Sequence, residues 1–175
     1  MSEDKGRPPI HLWNPDNVKD IDMEIHEDGS WFYMGTPIKR PRLVHLFASV
    51  MRLEGDDYYL VTPVEKCRIK VQDAPFLIVL LDDSGEGQSQ RLGFTTNMSE
   101  SVTLGPDHNL RVKIDAETEE PALYVMVRDG LEARINRNVY YQLAGLLAES
   151  EQDGVLWHGL WSEGMFFPVI ESSQL

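Results

Sequence analysis

Two Asp-Gly pairs, Asp28-Gly29 and Asp129-Gly130, stand 101 residues apart, and each sits inside the same succession of patterns. Before the first pair, Ile21, Met23 and Ile25 alternate with Asp22, Glu24 and His26, the period-two signature of a half-buried strand. Glycine takes φ > 0 without steric cost, so Asp-Gly between two such runs predicts a hairpin. Trp31, Phe32 and Tyr33 form the returning strand, closed by Gly35-Thr36-Pro37. Leu43, Val44, Leu46, Phe47, Val50 and Met51 then repeat as the apolar stripe of a helix, with Pro41 in its first turn. Around the second pair the strands are Ala122 to Val127 and Leu131 to Ile135, and the helical stripe is Val139, Leu143, Leu146 and Leu147. Leu43 and Leu46 recur 100 residues on as Leu143 and Leu146, and Glu65 recurs at 98 as Glu163. The spacing predicts an α+β fold built of two similar units by duplication, each an antiparallel sheet with one helix on its apolar face. Coincidence between common elements is the alternative.

The remaining β-rich runs are Tyr58 to Thr62, Glu65 to Val71 and Phe76 to Leu81, separated by Pro63 and by Asp73-Ala74-Pro75. A polar stretch from Asp82 to Gln90 reads as a loop. Val102 to Leu104, Leu110 to Ile114, Val155 to Trp161 and Met165 to Ile170 are further strands. The expected organisation is an N-terminal arm over 1–20, marked by Pro8, Pro9 and Pro15, a first unit over 21–82, a linker and crossover over 83–100, and a second unit over 101–175. A length of 175 residues accommodates two small units.

Composition removes several classes of function. A single cysteine, Cys67, excludes an intrachain disulfide and a multi-cysteine zinc site. With 16 basic and 29 acidic residues the formal charge is −13, which argues against a nucleic-acid polymer or an anionic membrane as partner. The first twenty residues carry no apolar run, and Phe76 to Leu81 falls far short of the roughly 20 residues that span a bilayer. A cytoplasmic location is the expectation.

No catalytic constellation is apparent. His11, His26, His45, His108 and His158 lack metal-type spacing, and His45 reads as half-buried packing on the first helix. Cys67 lies between Lys66 and Arg68, but neighbours along a strand face opposite sides, so a buried structural thiol is expected. No nucleophile, base and orienting group come together, and no cofactor or metal is implied. Charge placement says more. Between Pro37 and Gln72, Lys39, Arg40, Arg42, Arg52, Lys66, Arg68 and Lys70 face only Glu54, Asp56, Asp57 and Glu65, an island of +3 in an acidic chain. Such an island focuses a small anion, and Lys39 and Arg40 also precede a helix N-terminus. Pairing with local acids is the other reading. Trp31, Trp157 and Trp161 read as core or interlayer residues, or as stacking surfaces for a planar ligand.

Three segments taken together resemble a bacterial family of unknown function, domain-of-unknown-function family 1285. They are Asp28 to Arg40 followed by Leu43-Val44-His45-Leu46-Phe47, then Tyr59-Leu60-Val61-Thr62-Pro63-Val64-Glu65-Lys66, then Val71-Gln72-Asp73-Ala74-Pro75-Phe76. Arg134 to Tyr141 and Phe166-Phe167-Pro168 extend the match. The resemblance implies a duplicated α+β core, a second copy superficially like a pleckstrin-homology fold, and a ligand site near the junction of the copies, in signalling. The function expected is a noncatalytic regulatory protein that binds a small anionic, nucleotide- or metabolite-like ligand between its units. The alternative is a protein–protein adaptor with no such ligand. The candidate site residues are Trp31, Lys39, Arg40, Thr62, Glu65, Lys66 and Arg134. Arg40 would grip the anion, and Thr62 and Glu65, in the Thr-Pro-x-Glu turn, would orient it or the arginine.

Overall fold

The computed structural model describes residues 6–175. It divides into two compact units: residues 6–75 with 129–131, and residues 76–128 with 132–175.

The first unit contains strands β1 (Val18–Ile25), β2 (Trp31–Tyr33), β3 (Thr36–Pro37), β4 (Met51–Glu54), β5 (Asp57–Val61) and β6 (Lys66–Val71), with helix α1 (Pro41–Ser49) between β3 and β4. They form one sheet in the order β3-β2-β1-β6-β5-β4. All its pairings are antiparallel except β1 with β6, which run parallel. Met23, Ile25, Trp31, Met51, Leu60 and Ile69 are buried, as the alternation of their strands requires. Helix α1 sets Ala48 into this core and stacks Phe47 on Trp31, with ring centroids 6.2 Å apart. Arg52 donates to the carbonyl of Ile10, which ties the proline-rich arm to β4.

The second unit contains β7 (Phe76–Ser84), β8 (Arg91–Thr96), β9 (Ser101–Thr103), β10 (Leu110–Ile114), β11 (Pro121–Arg128) and β12 (Leu131–Ile135), then α2 (Arg137–Ala144), then β13 (Ala148–Gln152), β14 (Val155–Ser162) and β15 (Met165–Glu171). One sheet has the order β10-β11-β12-β7-β8-β9, with β7 and β12 parallel. The last three strands form an antiparallel sheet of their own. Asn136 caps α2 by accepting from the Val139 amide at 2.9 Å, and Val139 and Leu143 are buried. A polar seam joins β14 to β8: the Ser162 hydroxyl, fully buried, donates to the Leu104 carbonyl at 2.7 Å and accepts from the Leu92 amide at 3.1 Å.

The protein is therefore α+β, mostly sheet, with two units of similar construction. The succession strand, Asp-Gly turn, strand, helix, three-stranded meander appears as β1 to β6 and again as β11 to β15. Asp129 and Gly130 both have positive φ (49° and 81°), as the tightest hairpin turn demands. Several boundaries differ from the sequence expectation. The arm ends before Val18. Residues 83–100 hold the end of β7, which pairs at Ser84 with Arg91, and the whole of β8, and the second unit begins at Phe76. The helices stop two and three residues early, at Ser49 and Ala144. Met51 and Ala148 start strands instead, since Gly55 and Gly154 turn those strands into hairpins with β5 and β14. Neither six-stranded sheet is purely antiparallel.

Candidate functional site: the start of helix α1

After β3 the chain runs through Lys39 to Arg40, the N-cap of α1, and Pro41 opens the helix. Arg40 supplies no side-chain cap and the first turn holds no acidic residue. Lys39, Arg40 and Arg42 are exposed, and among the described residues none of the three side chains has an ion-pair or hydrogen-bond partner. Three uncompensated cations thus surround the end of a helix that already carries partial positive charge. Leu43 and Leu46 lie three residues apart on one face of the helix, below Lys39 and Arg42. Lys39, Arg40, Pro41, Arg42, Leu43 and Leu46 together line a shallow hollow of about 720 Å³.

Three of the other four island cations, Arg52, Lys66 and Arg68, are paired on the sheet, while Lys70 is exposed and has no ion pair among the described residues. Lys66 pairs with Glu54 at 2.5 Å and lies over the Tyr59 ring, 4.7 Å from its centroid. Arg52 pairs with the same carboxylate at 3.5 Å. Arg68 donates to Asp20 at 2.6 Å and reaches Asp57 at 3.6 Å. Lys19 takes Glu65 at 2.8 Å. A second hollow, of about 560 Å³, is bordered by Asp20, Asp56, Asp57, Arg68 and Lys70, with Arg68 already held by two carboxylates.

These pairs hold Glu54 and Asp20 below the usual carboxylate range, through the hydrogen bonds from Lys66 and Arg68 respectively. A carboxyl with a lowered folded pKa stabilises the fold above its unfolded value, and that contribution disappears as pH falls through the folded value. Thermal midpoints should therefore drop on acidification from about pH 5 to pH 3. Glu54→Gln should lower the midpoint at pH 7 and flatten that slope. An unchanged slope would show that this pair adds nothing.

Of the seven candidate residues, the structure brings Lys39 and Arg40 together at the helix start. Arg42, also in the island, completes the cluster, and its position one turn above Leu46 was the available signal. Trp31 is not a stacking surface: it is 2% exposed and packs against Phe47, so no ligand ring reaches it. Thr62 orients its own hairpin, accepting from the Glu65 amide at 3.1 Å. Glu65 and Lys66 are engaged by Lys19 and Glu54. Arg134 lies in the second unit, half-buried on β12 beside Leu77. His45 is exposed rather than half-buried. Cys67 is half-buried rather than buried, and its partial burial and the nearby Glu65 carboxylate push the thiol up.

One cluster carried no sequence signal. Ser172 lies 2.7 Å from Nδ1 of His158, and Glu149 lies 3.5 Å from Nε2. Strand register creates it: Glu149 stands opposite His158, and β15 delivers Ser172 just beyond its end. Its visible effect is to hold the C-terminal turn to β14. Among the described residues no group of three or more His, Cys, Asp or Glu is arranged to hold a metal, and no helix is long and apolar enough to cross a membrane.

Two family models cover the chain. Residues 8–74 match the N-terminal domain of DUF1285, a domain of unknown function, and residues 75–169 match its C-terminal domain. The chain belongs to the DUF1285 family. The family's own division, between Ala74 and Pro75, falls one residue before the fold divides, between Pro75 and Phe76. A DUF1285 family protein from Silicibacter pomeroyi DSS-3, solved as a crystal structure, is 49% identical and superimposes with a TM-score of 0.89, covering 97% of this chain and 91% of that one. Another, from Shewanella baltica OS155, is 29% identical with a TM-score of 0.54, covering 70% of this chain and 90% of that one. No curated protein matches.

Proposed function

We propose that this DUF1285 chain is a noncatalytic, cytoplasmic regulatory protein that acts in signal transduction by binding a small anionic ligand, nucleotide- or metabolite-like. The observation that carries the proposal is that, among the described residues, Lys39, Arg40 and Arg42 cluster at the start of α1 without a partner, whereas Arg52, Lys66 and Arg68 of the same island are matched to carboxylates. Leaving three like charges adjacent and uncompensated is unfavourable for the fold alone, and an anion relieves it. A guanidinium also offers paired donors that fit a carboxylate or phosphate.

Arg40→Ala should weaken binding of the anion by about 1.5–3 kcal/mol, the scale of a hydrogen bond to a charged group. Thermal shift against nucleotides, phosphorylated metabolites and dicarboxylates measures it, since a ligand at a hundredfold excess over Kd adds about 2.7 kcal/mol. Equal affinity in wild type and variant would remove Arg40 from the site. A second reading, a protein–protein adaptor with no small-molecule ligand, is favoured by Met34 and Val64, apolar side chains of the first unit exposed at the β2–β3 and β5–β6 turns. It gains if no anion shifts the melting temperature.

A further inference from the structure

The hollow at the start of α1 has cations at its rim and an apolar floor. Leu46 is 56% exposed, Leu43 is half-buried beside it, and the aliphatic stems of Lys39 and Arg42 border the same face. Within the hollow the polar heads of the three cations are its main charged groups. A compact polar anion such as inorganic phosphate would use the rim and leave the floor wet. A ligand that uses both parts must carry negative charge at one end and a hydrocarbon segment at the other.

Resting on the anion site proposed above, we propose that its ligand is an anionic amphiphile: an alkyl or acyl chain ending in a phosphate or carboxylate, bound as a free monomer. The charged end meets Lys39, Arg40 and Arg42, and the chain lies along Leu43 and Leu46. The source is a free molecule and not a lipid bilayer, because a chain of net charge −13 is repelled by an anionic membrane and two leucines are too little to insert. The hollow is open on one side, so a methylene lying in it is half-buried. Full burial of a CH₂ raises affinity about fourfold, and half-burial therefore about twofold.

Butyl, hexyl and octyl phosphate, each below its micellar concentration, are titrated into the full chain by calorimetry, alongside inorganic phosphate and phosphatidylglycerol vesicles. Octyl phosphate, with four more methylenes, should bind about sixteenfold more tightly than butyl phosphate. Leu46→Asn, an exposed position that leaves the fold intact, should flatten that chain-length dependence while butyl phosphate still binds. Arg40→Ala should weaken all three alkyl phosphates by similar factors. If phosphate or butyl phosphate binds in an Arg40-dependent way with no gain from chain length, the amphiphile is overturned and the anion site stands. Binding of no anion overturns both. Binding to vesicles without binding to monomers overturns the free amphiphile in favour of a membrane surface.

Discussion

Trp31→Ala should cost the first unit about 3–5 kcal/mol of unfolding free energy, the range for removing a large aromatic from a packed core. The ring is 2% exposed and is covered by Phe47 of α1, so alanine would leave a cavity between helix and sheet that neither can close alone. Trp31→Phe should cost far less, because the Trp31 indole N–H is buried without a hydrogen-bond partner and phenylalanine has none to satisfy. Urea denaturation followed by circular dichroism compares the three proteins. A loss below 1 kcal/mol for the alanine variant would show that the helix is held by something other than this stack.

Gly159→Ala should remove about 3 kcal/mol, the upper end of the cost of overpacking, and lower Tm by about 6–12 °C in a chain of this size. The backbone of β14 slips register at His158–Gly159, opposite Pro168. A Cβ at Gly159 would lie 2.3 Å from the Phe167 carbonyl oxygen and 2.6 Å from Cζ of Phe166. The carbonyl is part of the neighbouring strand and cannot rotate away. Gly154→Ala is the informative contrast. Gly154 has φ of +83° but open space around it, so its variant carries only the conformational cost of about 1–2 kcal/mol. Equal melting temperatures for the two variants would mean that crowding at the bulge is relieved by movement of β15.

The repeated succession of elements was legible because it is written in local chemistry. Both Asp-Gly turns set their glycine at positive φ, 87° at Gly29 and 81° at Gly130, and the apolar stripes that follow have helical period, so each signal is contained in a few consecutive residues. The parallel pairings of β1 with β6 and of β7 with β12 were not legible, since nothing local distinguishes a strand that will find a distant parallel partner. The short strands β4 and β13 were hidden for a related reason. Met51 and Ala148 extend the apolar periodicity of the preceding helix, and only the hairpins that follow draw them into sheets. At the site, sequence located the basic island but not which of its members would be neutralised. Lys66 and Glu54 are twelve residues apart in sequence, and Arg68 and Asp20 forty-eight; the second pair meets because β6 and β1 are neighbours in the sheet, the first by reaching across the intervening β5. Trp31 carried no mark of exposure or burial beyond its place on a strand, and the covering ring of Phe47 decided it.

The parallel seam in the first unit also bears on how that unit reaches its native state. Hairpins such as β4–β5 and β5–β6 close between neighbours in sequence, on a scale of microseconds. The seam pairs Val18 with Lys66 and Ile25 with Val71, so it forms only when chain ends nearly fifty residues apart meet in one register. The entropy of that closure is spent before any of its hydrogen bonds form, which places it late and makes it the slow step. Until it closes, β1 and β6 each present an unpaired edge to solvent, and the folding unit is at its most vulnerable to pairing with another chain. Asp20 with Arg68 and Lys19 with Glu65 bridge that seam. Contacts made so late in folding act chiefly on the rate at which the closed sheet reopens, and so on how long the finished fold persists.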